Sequence, residues 1–213
     1  MRRRTIILAA VVAVAAGATL WMVSGVPVAG IRTFYIPSEA MEPTLEKGDH
    51  FVAAMVAPRD LHRGEILLVR TSGGNIYTKR LAALAGDRIA LARGTVSING
   101  HPVGQVAAGT RRVAYPYLPA TEARLFREQF PGEPAPHLVQ DLGPSSEDDM
   151  AELTVAPGHL FLLGDNRDDS ADSRVPKMMG GLEQVPISDV IGHPMFLYWP
   201  PRKAGSAPDA PGK

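Results

Sequence analysis

Along most of the chain, apolar and polar residues alternate with a period of two, in short runs separated by Gly, Asp, Asn and Pro. Such alternation predicts half-buried β-strands rather than helices. Arg32 to Ile36, His50 to Val56, Ile76 to Leu84, Arg88 to Ala92, Thr95 to Ile98, Gly158 to Gly164 and Val190 to Trp199 read as strands. Ile66 to Val69 is a fully apolar run, as expected of a strand buried on both faces. Lys47-Gly48-Asp49, Arg63-Gly64-Glu65, Thr71 to Asn75 and Gly86-Asp87 mark turns, and Asn99-Gly100 is the strongest hairpin signal in the chain. The pattern weakens between residues 105 and 152, which reads as an insertion made mostly of loops. It contains one short helix, Ala120 to Gln129, begun by Pro119. Residues 200–213 are rich in Pro, Gly and Ala and form a fraying tail. The prediction is one mainly β domain of antiparallel strands over residues 32–199.

Two stretches break this pattern. Met1 to Arg4 carries three arginines, and the run that follows, Thr5 to Val23, has no charged residue. That is long enough for a single transmembrane helix over about residues 5–24, with residues 1–4 cytoplasmic and the remainder outside. A cleaved signal peptide is the rival reading, since Ala16-Gly17-Ala18 fits a small-x-small cleavage site. The apolar run continues past that site, which favours an anchor in the membrane lipid. The second stretch is Ile36 to Leu45. Pro37 and Pro43 bias Ile36 and Glu42 towards extended geometry, which predicts an extended segment with Ser38, Ala40 and Glu42 on one face. Ser38 on such a segment is a candidate nucleophile, although Ser-Glu and Pro-Thr also serve as ordinary turn residues.

Composition narrows the chemistry. The 213 residues balance 22 Lys and Arg against 22 Asp and Glu, so nothing argues for a nucleic-acid partner. The chain has no cysteine, which rules out disulfides, a thiol nucleophile and thiolate metal sites. None of His50, His62, His101, His137, His159 and His193 lies in a triad setting. Gly164 to Arg174 has carboxylates spaced like a calcium loop, but Ser170 stands where the loop needs glycine and Pro176 where it needs glutamate. Its dense Asp, Asn, Arg and Ser alternation instead fits an internally hydrogen-bonded polar knot. On the strand from Ile76, Lys79 and Arg80 point to opposite faces, which leaves Arg80 for solvent. Lys79 can act as a general base only if burial lowers its pKa by about two units or more. A surface Lys-Arg pair on an edge strand is the ordinary alternative.

Three segments in this order resemble the bacterial type I signal peptidases, membrane-anchored serine endopeptidases. They are Pro37-Ser38-x-x-Met41-x-Pro43-Thr44-Leu45, Lys79-Arg80 with Gly86-Asp87, and Gly164 to Asp168 with Ser170, Asp172, Ser173 and Arg174. The resemblance spans residues 32–104 and 157–199. It implies coiled antiparallel β-sheets behind one transmembrane helix, and a Ser/Lys mechanism with no cofactor, metal or catalytic histidine. Position by position, it implies Lys79 as general base and Ser170 as the serine that orients it. Asp172 and Arg174 match the supporting ion pair, with Asp165 in the same motif. Ser38 matches the serine whose hydroxyl helps form the oxyanion hole. Pro37, Met41, Pro43 and Thr44 match residues shaping the site and groove. The implied partners are signal peptides of exported preproteins, cut at the outer face of the cytoplasmic membrane after small residues.

One position departs from the pattern. The family's nucleophilic serine directly precedes the methionine, and here that residue is Ala40. A methyl group cannot attack a carbonyl. Three readings follow: a change made to trap a complex, a natural homologue that binds signal peptides without cutting them, or use of Ser38 as nucleophile. On an extended segment Ser38 lies about 6–7 Å from position 40, which ranks its rescue third.

Overall fold

The period-two runs pair as antiparallel strands, and a computed structural model describes residues 30–55 and 60–199. The expected anchor and the expected tail lie outside these residues. Among the described residues no helix is long and apolar enough to cross a membrane.

The strands are β1 (Ile31–Tyr35), β2 (His50–Ala54), β3 (Ile66–Arg70), β4 (Ile76–Ala83), β5 (Arg88–Ala92), β6 (Thr95–Ile98) and β7 (His101–Pro102). They continue with β8 (Gln105–Tyr115), β9 (Leu118–Glu128), β10 (His137–Asp141), β11 (Met150–Thr154), β12 (His159–Leu163), β13 (Val185–Pro186) and β14 (Val190–Trp199). A seven-stranded sheet runs in the order β1-β2-β14-β3-β4-β12-β13, and a four-stranded sheet in the order β11-β5-β6-β7. The mainly β expectation holds, and the Asn99-Gly100 turn joins β6 to β7.

Three apolar clusters hold these sheets. Ile89, Leu91, Val96, Ile98, Phe161 and Leu163 pack between the four-stranded sheet and the large one. Leu67, Val69, Leu81, Leu160 and Leu162 fill a second cluster beneath Leu182 and Val185. Ile36, Met41, Leu45, Phe51 and Leu68 form the third. Burying a side chain of this size stabilises by about 1.5–3 kcal/mol relative to exposure, so these clusters decide which strand faces turn inward.

Residues 105–152 are not an insertion of loops. Strands β8, β9 and β10 form a third sheet in the order β10-β9-β8, and Val113, Tyr115 and Ala123 make a small core of their own. The helix expected over Ala120 to Gln129 is strand β9. Its Ala, Glu, Arg and Leu content favours a helix. Burial instead alternates, with Ala123 and Leu125 inside and Glu122 and Arg124 outside, and that pairing outweighs propensity.

The stretch Ile36 to Leu45 is also not extended. It turns, with the Glu42 amide donating to the Glu39 carbonyl (3.0 Å) and the Leu45 amide to the Met41 carbonyl (2.9 Å). Each proline restricts only itself and the residue before it, so Ser38 to Met41 remain free to bend. Bending brings Met41 and Leu45, four residues apart, into one cluster. Ser38, Ala40 and Glu42 therefore do not share a face. Ser38 is exposed, while Ala40 and Glu42 are buried.

Candidate active site

Lys79 lies on β4, between β3 and β12 in the interior of the large sheet rather than at its edge. Its side chain is buried, and Nζ donates to Ser170 Oγ at 2.8 Å. Burial, which penalises the ammonium form, lowers its pKa from 10.5 to about 8, and the nearby Asp172 carboxylate pulls it partly back up. A side chain that would stay fully charged on the surface therefore has a minor neutral fraction near pH 7 and is half neutral near pH 8.

This tuning has a cost to the fold, and its sign is definite. Between pH 8 and 10.5 the unfolded chain carries a proton on Lys79 that the folded chain lacks, so stability rises with pH across that window. Below pH 8 the whole penalty acts. At about 1.36 kcal/mol per pKa unit it is about 3 kcal/mol, of which the lost Ser170 hydrogen bond would return about 1. Lys79→Met should accordingly stabilise the protein by about 2 kcal/mol in urea unfolding at pH 7, with the gain fading as the pH approaches 10.5. A variant less stable than the parent at pH 7 would contradict the buried, destabilising lysine.

The loop from Gly164 to Arg174 supplies the surroundings. Asp172 accepts from Arg174 Nη2 (2.8 Å) and from the Gly164 amide (2.9 Å). Burial works against the Asp172 carboxylate, but the Arg174 charge and hydrogen bonds outweigh it and hold its pKa below the ordinary aspartate value. Gly164 sits between the two halves of the site. A Cβ there would stand 2.1 Å from Ser170 Oγ and 2.5 Å from the Ala40 carbonyl oxygen, so any side chain would drive them apart. The Asn166 amide donates to the same Ala40 carbonyl at 3.2 Å. The structure thus brings Ala40, Gly164, Ser170 and Lys79 together from three distant segments.

Asp165 braces the site from behind. It pairs with Arg80 (Nε to Oδ1 2.7 Å, Nη2 to Oδ2 2.6 Å) and accepts from the Thr44 hydroxyl. Arg80 is not solvated, as expected from its outward face, but buried against Asp165 and the Gly64 carbonyl. The face opposite Lys79 is covered by the Phe130–Glu133 segment, which the reading of residues 105–152 as loops could not anticipate. Burial raises the Asp165 carboxyl, and Arg80 more than reverses this, leaving the pKa lowered.

In front of Lys79 lies a groove of about 410 Å³. One wall is the end of β1 with Ile36, Pro37, Ser38 and Met41, and the other is Asn75 to Lys79 on the start of β4. Among the described residues, strand β1 is the outer strand of the large sheet and pairs with β2 alone. Pro37 and Met41 line the groove as anticipated, while Pro43 is buried outside its lining. Among the described residues no group of His, Asp and Glu could hold a metal ion.

Sequence reasoning missed two partners of the site. Arg167 pairs with Glu128 on β9 (Nη1 to Oε2 3.0 Å), and Tyr115 on β8 donates to Glu42 (2.8 Å). The only signal for either was polar residues on inward positions of strands that the composition disguised.

The structure defines a mainly β protein of antiparallel sheets with a buried lysine lining a groove, and the sequence comparisons give its family. The family model described as signal peptidase, peptidase S26, matches residues 3–199. The chain belongs to this family. It is 28% identical over 207 residues to "Signal peptidase I" of Pseudomonas aeruginosa, covering 84% of this chain and 69% of the relative. It is 28% identical over 187 residues to "Signal peptidase I" of Bacillus caldolyticus, covering 84% of this chain and 88% of the relative. A crystal structure of a signal peptidase I from Enterococcus faecalis aligns with 63% of this chain and 97% of its own, at 21% identity and a TM-score of 0.35.

Proposed function

We propose that this chain binds the signal peptides of exported preproteins in the groove between β1 and β4, and that it carries a Ser/Lys peptidase apparatus complete except for the nucleophile at Ala40. The observation behind this reading is Lys79, buried at the inner end of the groove with its pKa brought down to about 8. An extended peptide has the outer edge of β1 to pair with. With a hydroxyl at position 40, neutral Lys79 would take the hydroxyl proton while the oxygen attacked the scissile carbonyl. The lysinium so formed would return that proton to the leaving amine as the peptide C–N bond broke, and water, deprotonated by the again neutral lysine, would hydrolyse the acyl-enzyme. Ser170 holds the lysine, and Asp172, Arg174 and Asp165 hold the loop that carries Ser170. The arginine-flanked apolar run before residue 24 would anchor the chain in the bacterial cytoplasmic membrane, with the groove on the outer side.

A second reading has its own observation. The premise that ranked Ser38 low was an extended segment, and the segment turns. Ser38 is exposed and lines the groove together with Lys79, whereas Ala40 is buried. In that reading Ser38 is itself the nucleophile.

Both readings meet in one experiment. The full-length chain in detergent is mixed with a fluorescent signal peptide ending in small residues. The expected result is saturable binding with the peptide left intact, weakened when bulky residues replace the small ones. Cleavage that disappears in Ser38→Ala would establish the second reading, and absence of binding would overturn both.

A further inference from the structure

Among the contacts between the third sheet and the candidate site, one hydroxyl joins both halves of the site. Tyr115, at the end of β8, is buried, and its hydroxyl makes three hydrogen bonds. It donates to Glu42 Oε2 at 2.8 Å and accepts from Gln140 Nε2 at 2.8 Å and Asn166 Nδ2 at 3.2 Å. One proton and two lone pairs are all that a phenol can offer, so this hydroxyl is fully used.

Each partner belongs to a different part of the machinery. Glu42 lies on the turn that carries Ala40. Asn166 lies on the loop that carries Ser170, and it also reaches the turn directly. Its side-chain amide donates to the Glu39 carbonyl (3.2 Å) and its backbone amide to the Ala40 carbonyl (3.2 Å). Gln140 lies on β10 and bridges in parallel to Asn166, with its amide donating to the Asp165 carbonyl (2.8 Å) and its carbonyl accepting from the Arg167 amide (2.9 Å). Arg111, also on β8, stands 3.5 Å from Glu42 and 3.4 Å from Glu46 on the far side of the turn. The turn has its own apolar anchors in Met41 and Leu45, but these fix its depth and not its rotation. Hydrogen bonds are directional, and those that set its rotation come from Asn166 on the Ser170 loop and from Tyr115 on the third sheet, which also holds Asn166.

We infer that the third sheet is a positioning device for the reacting position, and that Tyr115 is its positioning residue, holding the Ala40 turn against the Ser170 loop. The inference rests on the reading of position 40 as the site of reaction. A serine at that position must meet Lys79 within hydrogen-bond reach, and displacement by about 1 Å can cost on the order of 10²-fold in rate.

The test has two arms. In the chain as it stands, Tyr115→Phe is compared with Arg124→Ala, which breaks the exposed Arg124–Asp141 ion pair on the same sheet. Amide hydrogen exchange of the segment 39–45 should quicken about tenfold in Tyr115→Phe and stay unchanged in Arg124→Ala. Unchanged exchange in Tyr115→Phe overturns the inference. In an Ala40→Ser background, Tyr115→Phe should lower kcat about tenfold or more while KM for the signal peptide stays within about twofold, and Arg124→Ala should change neither. Loss of kcat in both variants alike, or in neither, would mean a merely structural role and overturns the inference. If Ala40→Ser itself fails to cut, the functional reading falls, and the exchange arm still decides whether Tyr115 holds the turn. If Tyr115→Phe does not fold, Glu42→Gln serves in both arms, with smaller shifts of the same sign.

Discussion

Ala40→Ser should convert a chain that leaves signal peptides intact into one that cuts them, raising the cleavage rate by about 10³-fold or more. Loss of a nucleophile in a catalytic unit removes nearly all of the rate the unit contributes, and restoring it should return that rate if the rest of the unit is built. The other groups of the proposed unit are in contact with one another. Lys79 is buried and bonded to Ser170, Asp172 is paired with Arg174, and the Ala40 carbonyl is fixed by Asn166. The pH dependence gives the prediction its second edge. Only neutral Lys79 can accept the serine proton, so the rate should rise about tenfold per pH unit below about 8 and level off above it. Adding Lys79→Ala should abolish the gain. Cleavage by Ala40→Ser that is flat between pH 6 and 9, or that survives Lys79→Ala, would show that another group is the base.

The second large effect is on stability. Asp165→Asn should cost about 3–5 kcal/mol in urea unfolding at pH 7, because it leaves the buried Arg80 guanidinium without its compensating charge. Glu133 approaches Arg80 only to 4.0 Å and cannot replace the two short bonds to Asp165. The same pairing makes a statement about acid. The Asp165 pKa is lowered, so the stability it contributes is fully present above its ordinary value of 3.8 and is lost only as the pH falls through its depressed folded value. Replacing both partners at once, as Arg80→Met with Asp165→Leu, should recover most of the loss, since an apolar pair needs no desolvation of charge. If Asp165→Asn were as stable as the parent, the buried pair would not be holding the site together.

Much of this was readable in the residues, and the misses share a cause. Strands β3, β5, β6, β12 and β14 were legible because each buries a regular set of side chains, and that regularity is written in the local order of residues. Strand β9 was not, because Ala120 to Gln129 is built from helix-favouring residues whose conformation is set by pairing with β8 and β10. Arg80 was assigned to solvent from its alternation on β4. The face it occupies is solvent only if nothing packs there, and Glu133 and Asp165 do. The turn at Ala40 was drawn as extended from two prolines, whereas the burial of Met41 and Leu45 bends it.

The sequence by itself determined the mainly β class, most strand positions, the family, and the identities of Lys79, Ser170, Asp172, Arg174 and the alanine at position 40. These are properties of local pattern and of motif, and local order carries them. The tertiary structure decided that Lys79 is buried in the interior of a sheet with its pKa lowered, that Ser38 and Lys79 share a groove while Ala40 is buried, and that strands β8 to β10 form a sheet whose Tyr115 reaches the turn at Ala40. Burial and hydrogen-bond partnership across 73 residues of chain, as between Glu42 and Tyr115, depend on which surfaces meet, and no short window of residues contains that information.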